Sequence, residues 1–301
     1  MFNISSVKHH VYKIADFLEY KAVVDERGHC SINSLRSLLS APDDEMDING
    51  TEEGDDKVVN KLQESLTTCA GRNQSYKVYP FTVNLGSIDF SFSSPLDLIY
   101  IFLLLANRLD MQTEKIQGGK NATELFERLC RVVAASYLGV HSKCEIFGTS
   151  VPGSFQDKVN DILKKLRIPG EFNPPTGWTG HQQDGGIDLV AWIPFDDSLD
   201  SQLIALGQCK TGTNWEIHLK RKQFFQEYST KQPLMEPIYM FFVCEDFDTN
   251  KWEDHCRGGG ILFNRRRIIS LIPDNFQEVE QPLYEDIKVW VEHATAYIKG
   301  Q

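Results

Sequence analysis

Two apolar segments, "DGGIDLVAW" (Asp184–Trp192) and "LIALGQCKTG" (Leu203–Gly212), constrain this chain most. Each reads as a buried strand, since short apolar runs bounded by glycine and polar loops do. Yet the first opens with a carboxylate and the second closes with Gln-x-Lys. Side chains alternate across a strand, so Asp188, Val190 and Trp192 share one face, and Gln208 and Lys210 share another with Cys209 turned away. If the strands pair, Asp188, Gln208 and Lys210 converge at one end of the sheet. A lone ionised carboxylate on a buried strand is costly. A divalent cation and a nearby lysine remove most of that cost.

The same set suits phosphodiester hydrolysis. Mg²⁺ keeps several waters and needs only two or three protein oxygens. Asp188 is the main expected ligand, with the Gln208 amide oxygen and the Cys209 main-chain carbonyl as weaker ones. Lys210 is expected to orient the attacking water or stabilise phosphoryl charge. Because Gln stands where a second acid would help, another carboxylate is wanted. Glu127, in the amphipathic segment "ATELFERLCRVVAASYL", is the first choice. Glu124 lies one turn earlier on a similar face.

The rest of the chain fills in around this site. Residues 1 to about 41 read as two short helices joined by "DERGHC", the second N-capped by Ser31. A plain helical hairpin is the simpler reading and a helix-turn-helix the alternative. The acidic run Pro42–Asp56 places Glu45, Asp47, Asn49 and Asp56 at EF-hand ligand positions and Gly50 at the turn position of such a loop. Glu at the first position, Asp at the last and Glu52 at the apolar eighth argue against calcium. A helix from about Asp56 to Thr68 precedes a hairpin of "YPFTVN" and "SIDFSF". Ser94–Pro95 opens the apolar helix to about Leu109, too short to span a bilayer. "IQGGKN" (Ile116–Asn121) reads as a linker. The expected domains are therefore a mainly helical module with a small hairpin, 1–115, and an α/β domain, 116–301, with a mixed sheet flanked by helices.

Beyond the linker come the helix bearing Glu127, a strand "KCEIFGTS", a helix from about Phe155 to Leu166 and the two opening strands. "NWEIHLKRKQFFQEY" reads as a helix, "EPIYMFFVCED" and "ILFNRRRIISLIPD" as strands, and residues 283–298 as a final helix. Lys220, Arg221 and Lys222 on the expected helix "NWEIHLKRKQFFQEY", and Arg265, Arg266 and Arg267 on the last strand, are candidate phosphate contacts. Trp178 and Trp215 are candidates for stacking on a base, and His181 and Gln182 for touching substrate. Asp184 reads as a turn residue.

The net charge of −11 excludes gripping nucleic acid with the whole surface and leaves a local cationic patch or a partner that supplies cations. The seven cysteines show no CxxC, which argues against a zinc ribbon or a disulfide framework. The N-terminus lacks the apolar core of a signal peptide. A soluble cytoplasmic protein is expected.

"LFERL", "DGGIDLVAW" and "GQCK" resemble the three motif segments of the PD-(D/E)xK restriction-endonuclease-like nucleases, in the Mrr-like branch where Q-x-K replaces (D/E)-x-K. The resemblance covers about Asn121–Glu245, includes the order of elements, and does not extend to residues 1–115. It implies Mg²⁺- or Mn²⁺-dependent cleavage of DNA, with Glu127, Asp188, Gln208 and Lys210 in the active site. It also implies a place in a bacterial restriction or anti-phage system. Two departures stand out: an inserted helix and long loop (about 154–183) and the acidity. Both point to work with a partner protein, such as an ATPase or helicase, or as a homo-oligomer. The rival readings are a non-catalytic scaffold with the same fold and a DNA-binding regulator acting through residues 1–115.

Overall fold

The structure is a computed structural model that describes residues 10–39, 52–148, 151–179, 185–212 and 214–300. The sequence positions 45–50 of the possible calcium loop, and Asp184, His181 and Gln182, lie outside the described residues. The chain is α/β and divides into two compact units. Unit 1 comprises Met1–Ala122, Cys244–Asp248 and Asp274–Gln301; unit 2 comprises Thr123–Val243 and Thr249–Pro273.

Unit 1 begins with α1 (Val11–Val24), β1 (His29–Ser31), α2 (Ile32–Leu39) and α3 (Glu52–Ser75). Ser31 does cap α2: its Oγ accepts from the Ser34 N–H at 3.2 Å. The segment between α1 and α2 is a strand, however, not the turn of a helix-turn-helix. β1 pairs antiparallel with β3 (Ser87–Phe90), which pairs with β2 (Phe81–Val83). The expected hairpin is therefore the core of a three-stranded sheet.

The apolar helix α4 (Pro95–Arg108) starts where Asp97 accepts from the N–H groups of Ser93 and Ser94, each at 2.6 Å. Those bonds satisfy donors at the helix start and explain an acid in an apolar run. No described helix is long and apolar enough to cross a membrane.

"IQGGKN" is not a linker. β4 (Ile116–Gln117) and β5 (Lys120–Asn121) form a two-residue hairpin, with Gly118 (φ 54°) and Gly119 (φ 73°) at its tip. Positive φ at both positions is what such a tight turn demands. The final helix also departs from the expected 116–301 domain. Following α10 (Phe276–Val279), α11 (Gln281–Lys299) belongs to unit 1. Its Trp290 ring meets Phe102 of α4 edge-on at 5.3 Å and its indole N–H donates to the Lys115 carbonyl at 2.9 Å.

A buried ionic cluster ties α1 to α3 and to the 244–248 segment. Arg72 Nη1 lies 2.8 Å from Asp16 and 2.6 Å from Glu19, and Arg72 Nε lies 3.1 Å from Asp246. Arg108 pairs with Asp16 as well. Tyr79 and Tyr100 donate to the two Glu19 oxygens at 2.9 and 2.7 Å. Asp16 and Glu19 are fully buried, so their charges depend on these partners.

Unit 2 is a five-stranded mixed sheet in the order β10-β9-β8-β7-β6. β6 (Lys143–Ile146), β7 (Leu189–Ile193) and β8 (Leu203–Lys210) are antiparallel neighbours. β8, β9 (Ile238–Val243) and β10 (Ile261–Phe263) run parallel. α5 (Ala122–Leu138) supplies Cys130 against Cys209 of β8. Val190, Trp192, Ile204 and Leu206 point to a core built by α6 (Phe155–Lys165) and α7 (Phe224–Tyr228), through Phe155, Val159, Leu163, Phe224 and Tyr228. Each such apolar side chain contributes roughly 1.5–3 kcal/mol on burial.

Two local expectations fail here. Lys220, Arg221 and Lys222 are not helical; they lie in an irregular stretch between a 3₁₀ turn (Trp215–His218) and α7. Trp215 on one side and Phe224 on the other are buried against different partners, and one continuous helix cannot seat both. Arg265–Arg267 do not lie on a strand. They open α9 (Arg265–Leu271), which follows α8 (Trp252–Gly259) and β10, and Asn264 Oδ1 caps it by accepting from the Arg267 N–H at 3.1 Å.

Removing the Arg72 guanidinium leaves Asp16 and Glu19 buried with too little positive charge. Arg72→Met is expected to destabilise unit 1 by about 3–5 kcal/mol. Urea denaturation followed by circular dichroism should show the midpoint lowered by more than about 1 M. An unchanged midpoint would contradict the role given to the cluster.

Candidate active site

Asp188 immediately precedes β7 and is 6% exposed. Its backbone is held from both sides. Its N–H donates to the Gly207 carbonyl at 2.9 Å, and its carbonyl accepts from Phe147 N–H at 2.8 Å. Its carboxylate Oδ2 accepts from the Cys209 N–H at 2.7 Å and lies 3.9 Å from Lys210 Nζ. Pairing of Val190 with Leu206 and of Trp192 with Ile204 puts even-numbered residues of both strands on one face. Gln208 and Lys210 continue that face, and Gln208 is 8% exposed.

The second carboxylate comes from α5. Glu127 is buried and Glu124 is exposed, so the two candidates separate by burial. A Cβ added to Gly148, just after β6, would sit 3.3 Å from Glu127 Oε2 and 3.5 Å from Asp188 Oδ1. Both carboxylates therefore reach toward one small space that exists because residue 148 has no side chain. Lys158 of α6 donates to the Gly148 carbonyl at 3.1 Å and fixes this loop from the inserted helix.

Gly185 (φ 57°) and Gly186 (φ 76°) form the turn that delivers Asp188. A Cβ on Gly186 would meet Lys222 Cε at 2.6 Å and Nζ at 2.9 Å. Lys222 thus lies across the turn, two residues from Asp188. Asp188, Glu127, Lys222 and the Gln208–Lys210 pair are drawn from four separate parts of the sequence toward one end of the sheet.

The other candidates fall elsewhere. Lys220 is exposed, and Arg221 lines a cleft with Tyr239. Arg265 is fully buried and so is closed to substrate. Arg266 is exposed, while Arg267 stacks over Trp252 at 4.4 Å and donates to the Leu262 carbonyl at 2.8 Å. Trp215 is 1% exposed against Phe241 and His255 and cannot stack on a base. Trp178 packs on Phe155 and Phe172. Sequence reasoning missed Gly148 and Lys158. Neither belongs to a motif, and only the fold of β6 against α6 brings them to the carboxylates.

The donor set suits a hard divalent cation. Among the described residues no three His, Cys, Asp or Glu side chains gather as ligands. Glu127 and Asp188 provide two carboxylates over the Gly148 space. Mg²⁺ accepts such a partial set because waters complete its shell. The Cys209 thiol takes no part: burial, then its neighbour Cys130, pushes its pKa well above the ordinary range, so the thiolate does not form.

No protein-family model, no curated protein and no solved structure matches this chain.

Gly186→Ala places an L-residue at positive φ and drives its methyl into Lys222. It should cost about 1–3 kcal/mol in stability. Adding Lys222→Ala should recover the steric part of that loss, measured as a double-mutant cycle by chemical denaturation. Strictly additive effects would show that Lys222 does not lie across the turn.

Proposed function

We propose that unit 2 is a divalent-metal-dependent nuclease that hydrolyses DNA phosphodiester bonds. One observation carries this reading: the Glu127 and Asp188 carboxylates converge over Gly148 with the Lys210 ammonium beside Asp188. A structural strand end has no need of two buried acids and a lysine at one point. The resemblance to the Mrr-like PD-(D/E)xK nucleases supports the same assignment.

In this mechanism Glu127 and Asp188 would hold Mg²⁺ or Mn²⁺, and the Gln208 amide oxygen and the Cys209 carbonyl would be the further ligands. When bound, the cation supplies charge to a phosphoryl oxygen and lowers the pKa of a coordinated water. Lys210 Nζ donates a hydrogen bond to a non-bridging phosphoryl oxygen, where negative charge grows during attack. The Cys209 N–H aims the Asp188 carboxylate, and the Gly185–Gly186 turn fixes its position. Lys222 and Lys158 add local positive charge against the acidic whole. That charge suits the phosphate backbone of a nucleic acid.

The protein's work as a DNA nuclease belongs in the cytoplasm of a bacterial cell. Action within a restriction or anti-phage system, together with an ATPase or helicase partner, accords with its net charge of −11.

Incubation of the full chain with plasmid DNA and Mg²⁺ or Mn²⁺ tests the assignment. Wild type should nick or linearise the plasmid, and chelation should stop it. Lys210→Ala should lower the rate by about 10²–10³-fold, the usual loss on removing one donor to transition-state charge. Asp188→Asn should be at least as severe. Equal rates for wild type and Lys210→Ala would rule out this catalytic role.

A further inference from the structure

Unit 2 also carries a polar cleft, at the end of the β8–β9 pair away from Lys210. Two adjoining cavities of about 370 and 410 Å³ share Arg221, Glu236, Pro237 and Tyr239 as walls. Gln223, Gln226 and Gln232 line the second. Each cavity is within the range that holds small ligands. Tyr239 is partly buried, and its hydroxyl pKa is raised by that burial and by Glu236 and lowered by Arg221. Both charged groups line the cleft with Tyr239.

The cleft is joined to the carboxylates by sequence and by strand register. Arg221 and Lys222 are consecutive, and Lys222 lies across Gly186 while Arg221 faces the cleft. Tyr239 pairs with Leu206 on β8, and Lys210 lies four residues further along the same strand. Four residues of strand span roughly 13 Å. That is about four stacked nucleotides on one DNA strand at about 3.4 Å each, and fewer where the strand is unstacked.

The chemistry of the walls selects among ligands. Glu236 in the shared wall repels a phosphate. The three glutamines offer both donors and acceptors, Arg221 offers donors, and Tyr239 offers a ring face. Base edges carry that mixture of donors and acceptors, and base faces stack on aromatic rings. In a duplex the Watson–Crick edges are paired and the faces are stacked, so a base must leave the stack to offer them. The loop between Pro233 and Pro237 supplies a means. Leu234 is 68% exposed and Met235 59%, an apolar tip that buries nothing in the fold. Side chains of this kind wedge between base steps and unstack them.

We propose that this cleft receives one unstacked base of the substrate strand, with Leu234 and Met235 filling the step that the base vacates. The inference rests on the nuclease reading and adds a requirement for local opening of the duplex near the cut.

The test uses the full chain carrying Lys210→Ala and a set of short duplexes, each with one 2-aminopurine at a different position. Binding should raise the fluorescence several-fold at one or two positions, because an unstacked 2-aminopurine is no longer quenched by its neighbours. Adding Leu234→Ser and Met235→Ser, both exposed and so tolerated by the fold, should reduce that rise by more than half while duplex binding persists. Arg221→Ala should do the same. Tight binding with no rise at any position overturns the inference, as does a rise that all these substitutions leave unchanged. Plasmid cleavage by wild type is scored separately. Cleavage without a fluorescence rise removes the base cleft and leaves the nuclease reading standing. A rise without wild-type cleavage supports the cleft as a nucleic-acid site and removes the nuclease reading.

Discussion

A single buried carboxylate organises unit 2. Asp188 begins a central strand with 6% of its surface exposed, and an ionised acid there is unfavourable without close partners. The Cys209 N–H and the Lys210 ammonium supply them, and both come from the neighbouring strand. That dependence favours the observed pairing of β7 with β8, since a one-residue slip would turn Lys210 to the other face. The turn that delivers Asp188 needs two glycines at positive φ. The loop after β6 needs a glycine so that Glu127 can reach the same space. Register, turn and helix placement all follow from accommodating one charge.

Much of this was legible because strand alternation is a short-range rule. "DGGID" and "GQCK" announced polar ends on apolar strands, and alternation placed Asp188, Gln208 and Lys210 on one face. The choice between Glu124 and Glu127 was not legible. They lie three residues apart on a similar helix face, and only packing of α5 buries one and exposes the other. The basic stretch 220–222 read as helix because the residues around it favour one. Tertiary anchors at Trp215 and Phe224 override that preference. At Arg265–Arg267 a signal was present and unread: Asn264 stands at the cap position of a helix, where its side chain now bonds. The Gly118–Gly119 pair is likewise a hairpin signal, although paired glycines suit a linker equally well. The return of α11 to unit 1 depends on Trp290 meeting Phe102, a contact across nearly two hundred residues that no local pattern announces.

The acidity of the chain and a role on DNA are compatible because the cations near the site are concentrated. Lys210 of β8 lies beside Asp188, Lys158 of α6 holds the Gly148 loop, and Lys222 crosses the Gly186 turn. Salt screens charges beyond about 8–10 Å, so a phosphate at the site responds mainly to these neighbours and not to the net charge. The global charge still matters for encounter, where it slows approach to DNA. A partner that brings the DNA would offset that cost, in keeping with the proposal that this chain works within a larger assembly.

Calorimetric titration of the full chain with Mn²⁺ tests the central claim most directly, because it needs neither substrate nor partner. Saturable binding near one ion per chain in wild type, weakened at least tenfold by Asp188→Asn and by Glu127→Gln in proteins of unchanged circular dichroism, is the result this account predicts. No measurable binding, or binding that both substitutions leave intact, would contradict it.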